Sequence, residues 1–294
     1  MDAQTWRARF EAFADKRTRA ALSAVMPPYE TEREQPAPRM RAVGNGWTRA
    51  MFDGPFYLSP ADAPREPSCS LVFVQSADGN TGAANPADLG GGATDAHLIY
   101  EGLSRVAADA VLSGGETVRG GGTVFSVWHP ELVQLRAALG LPRHPVQMVA
   151  TLEGLDVERM LLFNVPELSV IVLTASAGAA RMKEALSARP WVASVVMRDK
   201  ADLRPAFERL PPLGVRRISC IGGRRFAGSL LDAGLVDDVY LTTAPRPGGE
   251  PDTALASAAF DGAVVVRKRG TREEAGVMFE HLVRRRPGRD VSNP

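Results

Sequence analysis

The sequence has few of the features that mark secreted, membrane-bound or nucleic-acid-binding proteins. It contains only two cysteines, Cys69 and Cys220, which excludes a disulfide framework and predicts reduced thiols in a core. No run of about 18 apolar residues occurs, so no membrane-spanning helix is expected. The formal net charge is +1, a balance that gives no general attraction to nucleic acid or to a membrane surface.

Two further absences narrow the class of protein. Residues 1–7 lack the apolar core of a secretory signal, so the protein is expected in the cytoplasm. Neither G-x-G-x-x-G nor G-x-x-x-x-G-K-[ST] occurs, which excludes two common glycine-rich phosphate motifs. Aromatic residues make up only 6% of the chain, so Val, Leu, Ala and Ile must fill most of its core.

The composition of the sequence changes near residue 69. Residues 5–26 show an approximate helical apolar face, which ends at Pro27-Pro28. Residues 27–68 are rich in proline and charge, and we interpret them as an extended arm outside the core. The four aromatic residues in 47–58 predict that this part of the arm packs on the main domain or on a partner subunit. The expected domains are 1–68, a helix with an arm; 69–285, the main domain; and 286–294, a flexible tail.

From residue 69 onward, short apolar runs of strand length alternate with amphipathic segments of helix length. This alternation predicts crossover connections and an α/β fold with a mostly parallel central sheet and helices on both faces. Strands are predicted at 70–74, 110–112, 146–151, 168–174, 192–197, 215–221 and 239–243, with a closing hairpin of 264–268 and 277–283. Helices are predicted at 97–107, 179–188 and 203–210, and directly after Gly222-Gly223.

Three of these strands are followed by turns rich in glycine or in side chains with polar groups. The turns are Ser76-Ala77-Asp78-Gly79, Gly114-Gly115-Glu116-Thr117 and Gly222-Gly223-Arg224-Arg225. In an open α/β sheet, ligands bind at the carboxyl ends of the strands, and backbone N–H groups at a helix start bind phosphate. One such turn is equally typical of a simple loop, but three in this order predict a phosphate-bearing ligand.

The same turns carry a resemblance to a known family. Over about residues 69–285 the chain resembles the C-terminal reductase domain of the deaminase-reductases of riboflavin biosynthesis, in the dihydrofolate-reductase-like superfamily. That family shows S-x-D-G-K after a strand, then A-D-A-V-L-x-G-x-x-T-V, then E-G-G-P and a helix that ends in G-L-V-D-E. The corresponding segments here are Ser76–Asn80, Ala108–Val118, Ile221–Arg224 and Gly234–Asp238.

The resemblance implies a three-layer sandwich of the dihydrofolate-reductase type, with NADPH lying across the strand ends. It implies that Ser76 and Asp78 face the nicotinamide and the substrate as catalytic residues. The implied contacts of the cofactor are Gly115, Thr117, Thr174, Ser176, Gly222, Gly223, Arg224 and Arg225. The implied substrate is 5-amino-6-(5-phosphoribosylamino)uracil, which accepts a hydride at its ribosyl carbon. Members of the family often dimerise, so a homodimer is expected as well.

Several motif positions depart from the family pattern, and alternatives stay open for this reason. Asn80 stands where the family has Lys, Ile221 replaces Glu, and Arg224 replaces Pro. The missing Lys and Glu favour a dihydrofolate- or dihydropterin-type reductase as the second candidate. A non-catalytic NADP-binding protein that kept the fold is the third.

A zinc deaminase site is not expected, because such a site needs H-x-E and P-C-x-x-C. The two cysteines, Cys69 and Cys220, are isolated in the sequence and cannot supply C-x-x-C. No metal is therefore predicted. The expected partners are a small-molecule substrate and NADPH, without nucleic acid or a membrane.

Overall fold

The structure is a computed structural model that describes residues 2–61, 65–120, 122–198, 202–255, 264–271 and 276–284. Its strands, in chain order, are β1 (Tyr29–Glu34), β2 (Arg41–Val43), β3 (Phe56–Leu58), β4 (Ser68–Gln75), β5 (Asn80–Gly82), β6 (Ala110–Gly114), β7 (Val146–Thr151), β8 (Val170–Ala175), β9 (Val192–Met197), β10 (Arg217–Cys220), β11 (Asp238–Thr243), β12 (Glu250–Ala254), β13 (Val264–Thr271) and β14 (Met278–Val283).

The helices, in the same order, are α1 (Ala3–Ser23), α2 (Gly46–Phe52), α3 (Ser104–Val106), α4 (Gly115–Val118), α5 (Pro130–Ala138), α6 (Ser176–Ser187), α7 (Leu203–Glu208) and α8 (Arg224–Asp232). A π-helix, Thr94–Leu103, runs directly into α3. Short 3₁₀ turns occur at Pro86–Leu89, Val157–Arg159, Leu161–Phe163 and Pro211–Leu213.

The main sheet has ten strands in the order β1-β13-β14-β11-β4-β10-β6-β7-β8-β9. Neighbouring strands from β11 to β9 are parallel. Antiparallel pairs add β14, β13 and β1 at the other side. Helices cover both faces, so the predicted dihydrofolate-reductase-like α/β fold with a mostly parallel sheet is confirmed.

Alternation along the strands sends side chains into two separate cores, because successive residues of a strand point to opposite faces. On β6, Val111 joins the first core and Leu112 the second, and on β8 Val172 and Leu173 divide in the same way. The first core is covered by α1, the π-helix, α5 and α6, and it holds most of the buried aromatic residues. The second is covered by α7 and α8 and is mostly aliphatic.

The expectation that residues 27–68 lie outside the core is wrong. β1 pairs with β13 and becomes the edge strand of the main sheet. Tyr29, Phe52 and Phe56 are each at most 2% exposed and belong to the first core. The sequence of β1 is mostly charged, because an edge strand keeps polar side chains toward solvent. This composition is why the strand was not predicted. The boundaries at 68 and 285 stay predictions, and the tail 286–294 lies outside the described residues.

The segment between β1 and β4 covers the antiparallel strands of the same chain. Phe52, at the end of α2, packs edge to face on Phe279 of β14, with ring centroids 5.2 Å apart. Phe56, which begins β3, contacts Tyr240 of β11 at a centroid distance of 5.4 Å. The aromatic residues of 47–58 therefore pack on the main sheet of their own chain.

The helix predicted at 97–107 begins earlier, at Thr94, and most of it is wound as a π-helix. α5, which the sequence analysis did not predict, packs closely against it. A Cβ at Gly102 would lie 2.4 Å from Cδ1 of Leu132, so the small residue allows this close contact. The early start matters for the site, because it places Asp95 in the first turn of the helix.

Candidate functional site

The three turns singled out in the sequence lie side by side at one edge of the sheet. β4, β10 and β6 are parallel neighbours, so their carboxyl ends meet at the edge where open α/β sheets bind ligands. β8 ends at the same edge, but β7 separates it from β6. The structure thus brings together Ser76, Asp78, Gly115, Thr117, Gly222, Gly223, Arg224 and Arg225, and it places Thr174 and Ser176 two strands away from β6.

The backbone after β10 turns sharply at Gly222 and Gly223. A Cβ at Gly222 would lie 2.8 Å from the backbone N of Gly114 and 2.9 Å from Cα of Ser113, so a larger residue would push the ends of β10 and β6 apart. Gly223 has φ +61° and is the N-cap of α8, where no side chain caps the helix. The first N–H groups of α8 are therefore available to an anion.

Further polar groups surround the start of α8. Arg224 and Arg225 are exposed in its first turn. On the neighbouring turn, Gly115 is buried and Thr117 is exposed within α4. The Ser113 hydroxyl at the end of β6 is buried and has no hydrogen-bond partner among the described residues. An uncapped helix start, two guanidinium groups and hydroxyls form a donor set suited to a phosphate group.

Of the two predicted cofactor contacts at the end of β8, one is buried and the other is accessible. Thr174 is fully buried at the end of the strand, whereas Ser176 is exposed as the first residue of α6. A Cβ at Gly178 would lie only 2.3 Å from the Thr174 hydroxyl, which places that hydroxyl under the first turn of α6. Of the two predicted contacts, Ser176 is the one that a ligand can reach without a change in structure.

Ser76 and Asp78 are tied to each other and to the segment before β12. The Ser76 hydroxyl donates to the Asp78 carboxylate and also lies 2.8 Å from the carbonyl oxygen of Gly248. The N–H of Gly248 donates to Asp78 Oδ1 at 3.3 Å. Ser76 is fully buried and Asp78 is exposed. Ser76 therefore positions Asp78, and Asp78 is the member of the pair that faces solvent.

The protonation states at this edge limit its chemistry. The hydrogen bond from Ser76 lowers the pKa of Asp78 below its ordinary value. Asp78 is therefore a carboxylate at neutral pH, which accepts hydrogen bonds and is a poor proton donor. Burial raises the pKa of Cys220 to about 12, so this thiol stays protonated and is not a nucleophile.

Two positions that depart from the family pattern have partners within the protein. Asn80 Nδ2 donates to the carbonyl of Gly248 at 3.2 Å, and Asn80 Oδ1 accepts from the N–H of Thr253 at 3.4 Å. Asn80 thereby joins β5 to β12, which pair as a ribbon beside the turn after β4. Ile221 is 9% exposed and packs in the first core. Neither side chain offers a charge to a ligand.

Sequence reasoning missed an acidic residue near this edge, Asp95. It is half-buried in the first turn of the π-helix. Burial raises the pKa of Asp95 from its ordinary value of 3.8 to about 6, and the Thr242 hydroxyl on β11 partly offsets this shift. A signal was available, because an acid follows the run Gly90-Gly91-Gly92 closely, but the helix was predicted to begin at His97.

Two kinds of feature are absent from the residues that the structure describes. Within those ranges, no group of three or more His, Cys, Asp or Glu side chains is placed to hold a metal ion. No helix that the structure describes is both long and apolar enough to cross a membrane.

The architecture defines the class of protein as a dihydrofolate-reductase-like α/β domain. The family follows from the sequence, because the model of the RibD C-terminal domain matches residues 67–272. The chain belongs to this family, which confirms the resemblance to the reductase domain of the riboflavin-biosynthesis deaminase-reductases. No curated protein sequence matches the chain significantly.

Solved structures show the same fold at low sequence identity. A pyrimidine reductase-like protein from Corynebacterium diphtheriae is 22% identical with a TM-score of 0.55, and the match covers 78% of this chain and 96% of that one. RibD from Acinetobacter baumannii is 16% identical with a TM-score of 0.56, and the match covers 76% of this chain and 60% of that one.

A third structure is the diaminohydroxyphosphoribosylaminopyrimidine deaminase/5-amino-6-(5-phosphoribosylamino)uracil reductase from Thermotoga maritima. It is 15% identical with a TM-score of 0.55, and the match covers 75% of this chain and 57% of that one. This chain therefore spans less than two thirds of the Acinetobacter and Thermotoga proteins, and nearly all of the Corynebacterium protein.

Proposed function

We propose that the protein is an NADPH-dependent reductase of a nitrogen heterocycle, and that 5-amino-6-(5-phosphoribosylamino)uracil is the first substrate to test. The observation that carries the proposal is the uncapped start of α8 at Gly223, on the strand next to the turn of Gly115 and Thr117. Membership of the RibD C-terminal domain family supports a reductase. The Thermotoga maritima protein, which shares the fold, is named for reduction of this pyrimidine.

In this proposal the glycine turn and the first turn of α8 hold the pyrophosphate of the cofactor. Backbone N–H groups at Gly223 and beyond would donate to the phosphate oxygens, and Arg224 and Arg225 would add charge. Gly115 and Thr117 would contact the cofactor from the end of β6, and Ser176, with Thr174 beneath it, would contact the adenosine end. When bound, NADPH supplies a hydride, and the protein supplies its orientation.

Asp78 is the residue that we propose to orient the substrate. Its carboxylate is exposed, ionised and fixed by Ser76 and by the N–H of Gly248. A carboxylate held in this way is suited to accept a hydrogen bond from a sugar hydroxyl, and fixed orientation of reactants lowers the barrier to their reaction. Because its pKa is lowered, Asp78 is not proposed as the proton donor.

A dihydrofolate- or dihydropterin-type reductase is the second candidate. Asn80 is occupied by Gly248 and Thr253, and Ile221 is buried in the first core. These two positions therefore give no charged partner to a substrate phosphate. A pterin substrate without a phosphate would need no such partner.

The cofactor assignment is tested by thermal unfolding with NADPH and with NADH. A ligand at 100 times its Kd stabilises a protein by about 2.7 kcal/mol, so NADPH is expected to raise Tm clearly. Changing Arg224 and Arg225 together to Gln is expected to weaken NADPH binding roughly tenfold or more, because charge-assisted hydrogen bonds are lost. The matched control is Arg216→Gln, since Arg216 is exposed at the opposite end of β10.

The substrate assignment is tested by following NADPH oxidation with the pyrimidine and, separately, with dihydrofolate. Oxidation with the pyrimidine supports the first candidate, and oxidation with dihydrofolate supports the second. NADPH binding without oxidation by either compound would indicate a non-catalytic NADP-binding protein. No rise in Tm with NADPH would contradict the cofactor proposal.

A further inference from the structure

The main sheet has two edge strands, β1 at one end of the strand order and β9 at the other. Four of the six residues of β1 are charged, whereas β9 contains no charged residue. Natural edge strands commonly carry charges that oppose pairing with a further strand. β9 has no such charges within the strand, so it is the edge of the sheet at which another strand can be added.

The hydrogen bonds around β9 show which of its backbone groups face away from the sheet. The N–H of Val170 on β8 donates to the carbonyl of Trp191 at 3.0 Å. Counting from Trp191, every second residue therefore directs its backbone groups toward β8. The alternate residues of β9 direct their N–H and C=O groups outward, and these residues are Val192, Ser194 and Val196.

Two of the outward groups have partners within the chain. The N–H of Val192 donates to the carbonyl of Arg189 at 2.9 Å, and the carbonyl of Val196 accepts from Nη1 of Arg209 at 2.9 Å. The other four groups have no partner among the described residues. They are the N–H and C=O of Ser194, the N–H of Val196 and the C=O of Val192.

These four groups are self-complementary about a two-fold axis at Ser194. In an antiparallel pair, two opposite residues exchange N–H···O=C bonds in both directions. With Ser194 opposite the partner's Ser194, Val196 lies opposite the partner's Val192, and its free N–H meets a free carbonyl. The one bond that this register lacks would join the Val192 N–H to the Val196 carbonyl. These are the two groups that the chain already satisfies.

The side chains at this edge suit the same register. Ser194 is exposed, and Val196 is 38% exposed although it is apolar. Val192 is partly buried against the first core. Opposite residues of an antiparallel pair place their side chains on the same face, so Val196 would pack on the partner's Val192. Removal of apolar surface from water favours such an association.

We propose that two copies of the protein associate through β9, paired antiparallel about Ser194. The contact would join ten strands from each copy into one continuous sheet. A second copy is favoured over an unrelated extended peptide, because a peptide would also present groups to the Val192 N–H and the Val196 carbonyl, which are occupied. A closed two-fold contact is the commonest arrangement of homo-oligomers.

The proposed contact leaves the candidate sites apart. Antiparallel pairing directs the parallel strands of the two copies in opposite directions, so their carboxyl ends lie at opposite edges of the joined sheet. Each copy keeps its own candidate site, and the inference does not depend on the proposed reductase function.

The test uses the fact that a residue on a two-fold axis faces itself. Ser194→Glu and Ser194→Lys are prepared separately, and self-association is measured by sedimentation equilibrium for each variant and for their equimolar mixture. The matched controls are Ser23→Glu and Ser23→Lys. Ser23 is an exposed serine at the end of α1, shortly before the strand at the other edge of the sheet.

The wild type and both Ser23 variants are expected to form dimers. Each Ser194 variant is expected to self-associate at least about tenfold more weakly, because like charges meet directly at the axis. The mixture is expected to recover that tenfold, because Glu from one variant then faces Lys from the other. Recovery also shows that both variants are folded.

A wild-type protein that stays monomeric overturns the inference. Dimers whose dissociation constant is the same in the wild type and in both Ser194 variants would use another surface, which overturns it as well. A mixture that associates no more tightly than either variant alone would show that charge at a two-fold axis is not the cause, and the proposed register would then be wrong.

Discussion

The parallel part of the sheet, from β11 to β9, and the antiparallel part, formed by β14, β13 and β1, place their polar residues in opposite ways. In the parallel part, the middle of each strand is largely apolar, as Val111 and Leu112 show, and exposed polar groups such as Asp78 follow the strand ends. In the antiparallel part, charged side chains lie within the strands. Arg267 and Arg269 of β13 are at most 1% exposed.

These buried arginines attach the N-terminal segment to the sheet. Arg269 lies 3.3 Å from Asp53 and 3.0 Å from Glu34. The guanidinium groups of Arg267 and Arg269 also lie 5.2 and 5.4 Å from the Phe52 ring. Polar and charged groups therefore have two uses in this protein: exposed polar turns suit a ligand, whereas buried charges connect distant parts of the chain.

Removing one of the buried arginines is expected to have the largest effect. In Arg269→Met, Glu34 and Asp53 lose this partner, while Glu34 keeps its contact with Arg267 at 2.5 Å. Because the side chains of Glu34 and Asp53 are 29% and 42% exposed, we expect the lower end of the roughly 3–5 kcal/mol that breaking a buried ion pair costs. We expect the free energy of unfolding, measured with urea, to fall by about 3 kcal/mol. Lys268→Met is the control, because Lys268 is 38% exposed and its contact with Glu32 is 3.5 Å, so a loss below about 1 kcal/mol is expected. Equal losses in the two variants would contradict the proposed difference between the two parts.

A change at the glycine turn is expected to be the next largest. In Gly222→Ala the new Cβ would collide with the backbone of Ser113 and Gly114, and overpacking of this kind costs about 1–3 kcal/mol. NADPH affinity is expected to fall with stability, because the ends of β10 and β6 must separate. Gly228→Ala in α8 is the control, since nothing lies within 4 Å of its Cβ position. Alanine there favours the helix by roughly 0.5–1 kcal/mol, so an equally destabilised control would refute this explanation.

The smallest expected effect is at Asp95, at the junction of the two parts. Its pKa is about 6 in the folded protein and 3.8 as the ordinary value, so the unfolded chain releases this proton at a lower pH. Stability is therefore lost as pH rises from about 4 to about 6. A shift of about two pKa units corresponds to at most about 3 kcal/mol, and solvent at this half-buried carboxyl reduces the effect. Asp95→Asn is therefore expected to raise the free energy of unfolding at pH 7.5 by about 1–2 kcal/mol, with no gain at pH 4. Urea unfolding across this pH range measures the difference. A gain independent of pH, or the same gain in the exposed control Asp88→Asn, would exclude titration of Asp95 as its cause.

The parallel part was largely predictable from the sequence, and the antiparallel part was predictable only at its hairpin. β7 and β9 were predicted with their observed bounds, because each is a short run rich in Val with clear flanking signals. β1 was missed, because its alternating Glu residues resemble an exposed arm and its partner β13 lies far away in the chain. The burial of Ser76 could not be predicted, since its hydrogen-bond partner Gly248 lies 172 residues away in the sequence.

The parts of the candidate site that could be predicted are those where the backbone conformation requires a particular residue type. Gly222 and Gly223 were identified because a sharp strand-to-helix turn needs them, and the structure places them at such a turn. Asp95 was missed because helix starts are poorly defined by periodicity, and an error of three residues moved it outside the predicted helix.

The position of β1 also constrains how the chain reaches its fold during synthesis. Glu34 and Arg269 are separated by 235 residues, so β1 leaves the ribosome long before its partner β13 exists. Contacts of such long sequence separation form slowly, and an unpaired strand is exposed to pairing with other nascent chains. Glu30, Glu32 and Glu34 alternate along β1, and charges on an open strand edge oppose such pairing. The charges that made β1 difficult to predict therefore also oppose its pairing with other chains until residue 271 has been translated.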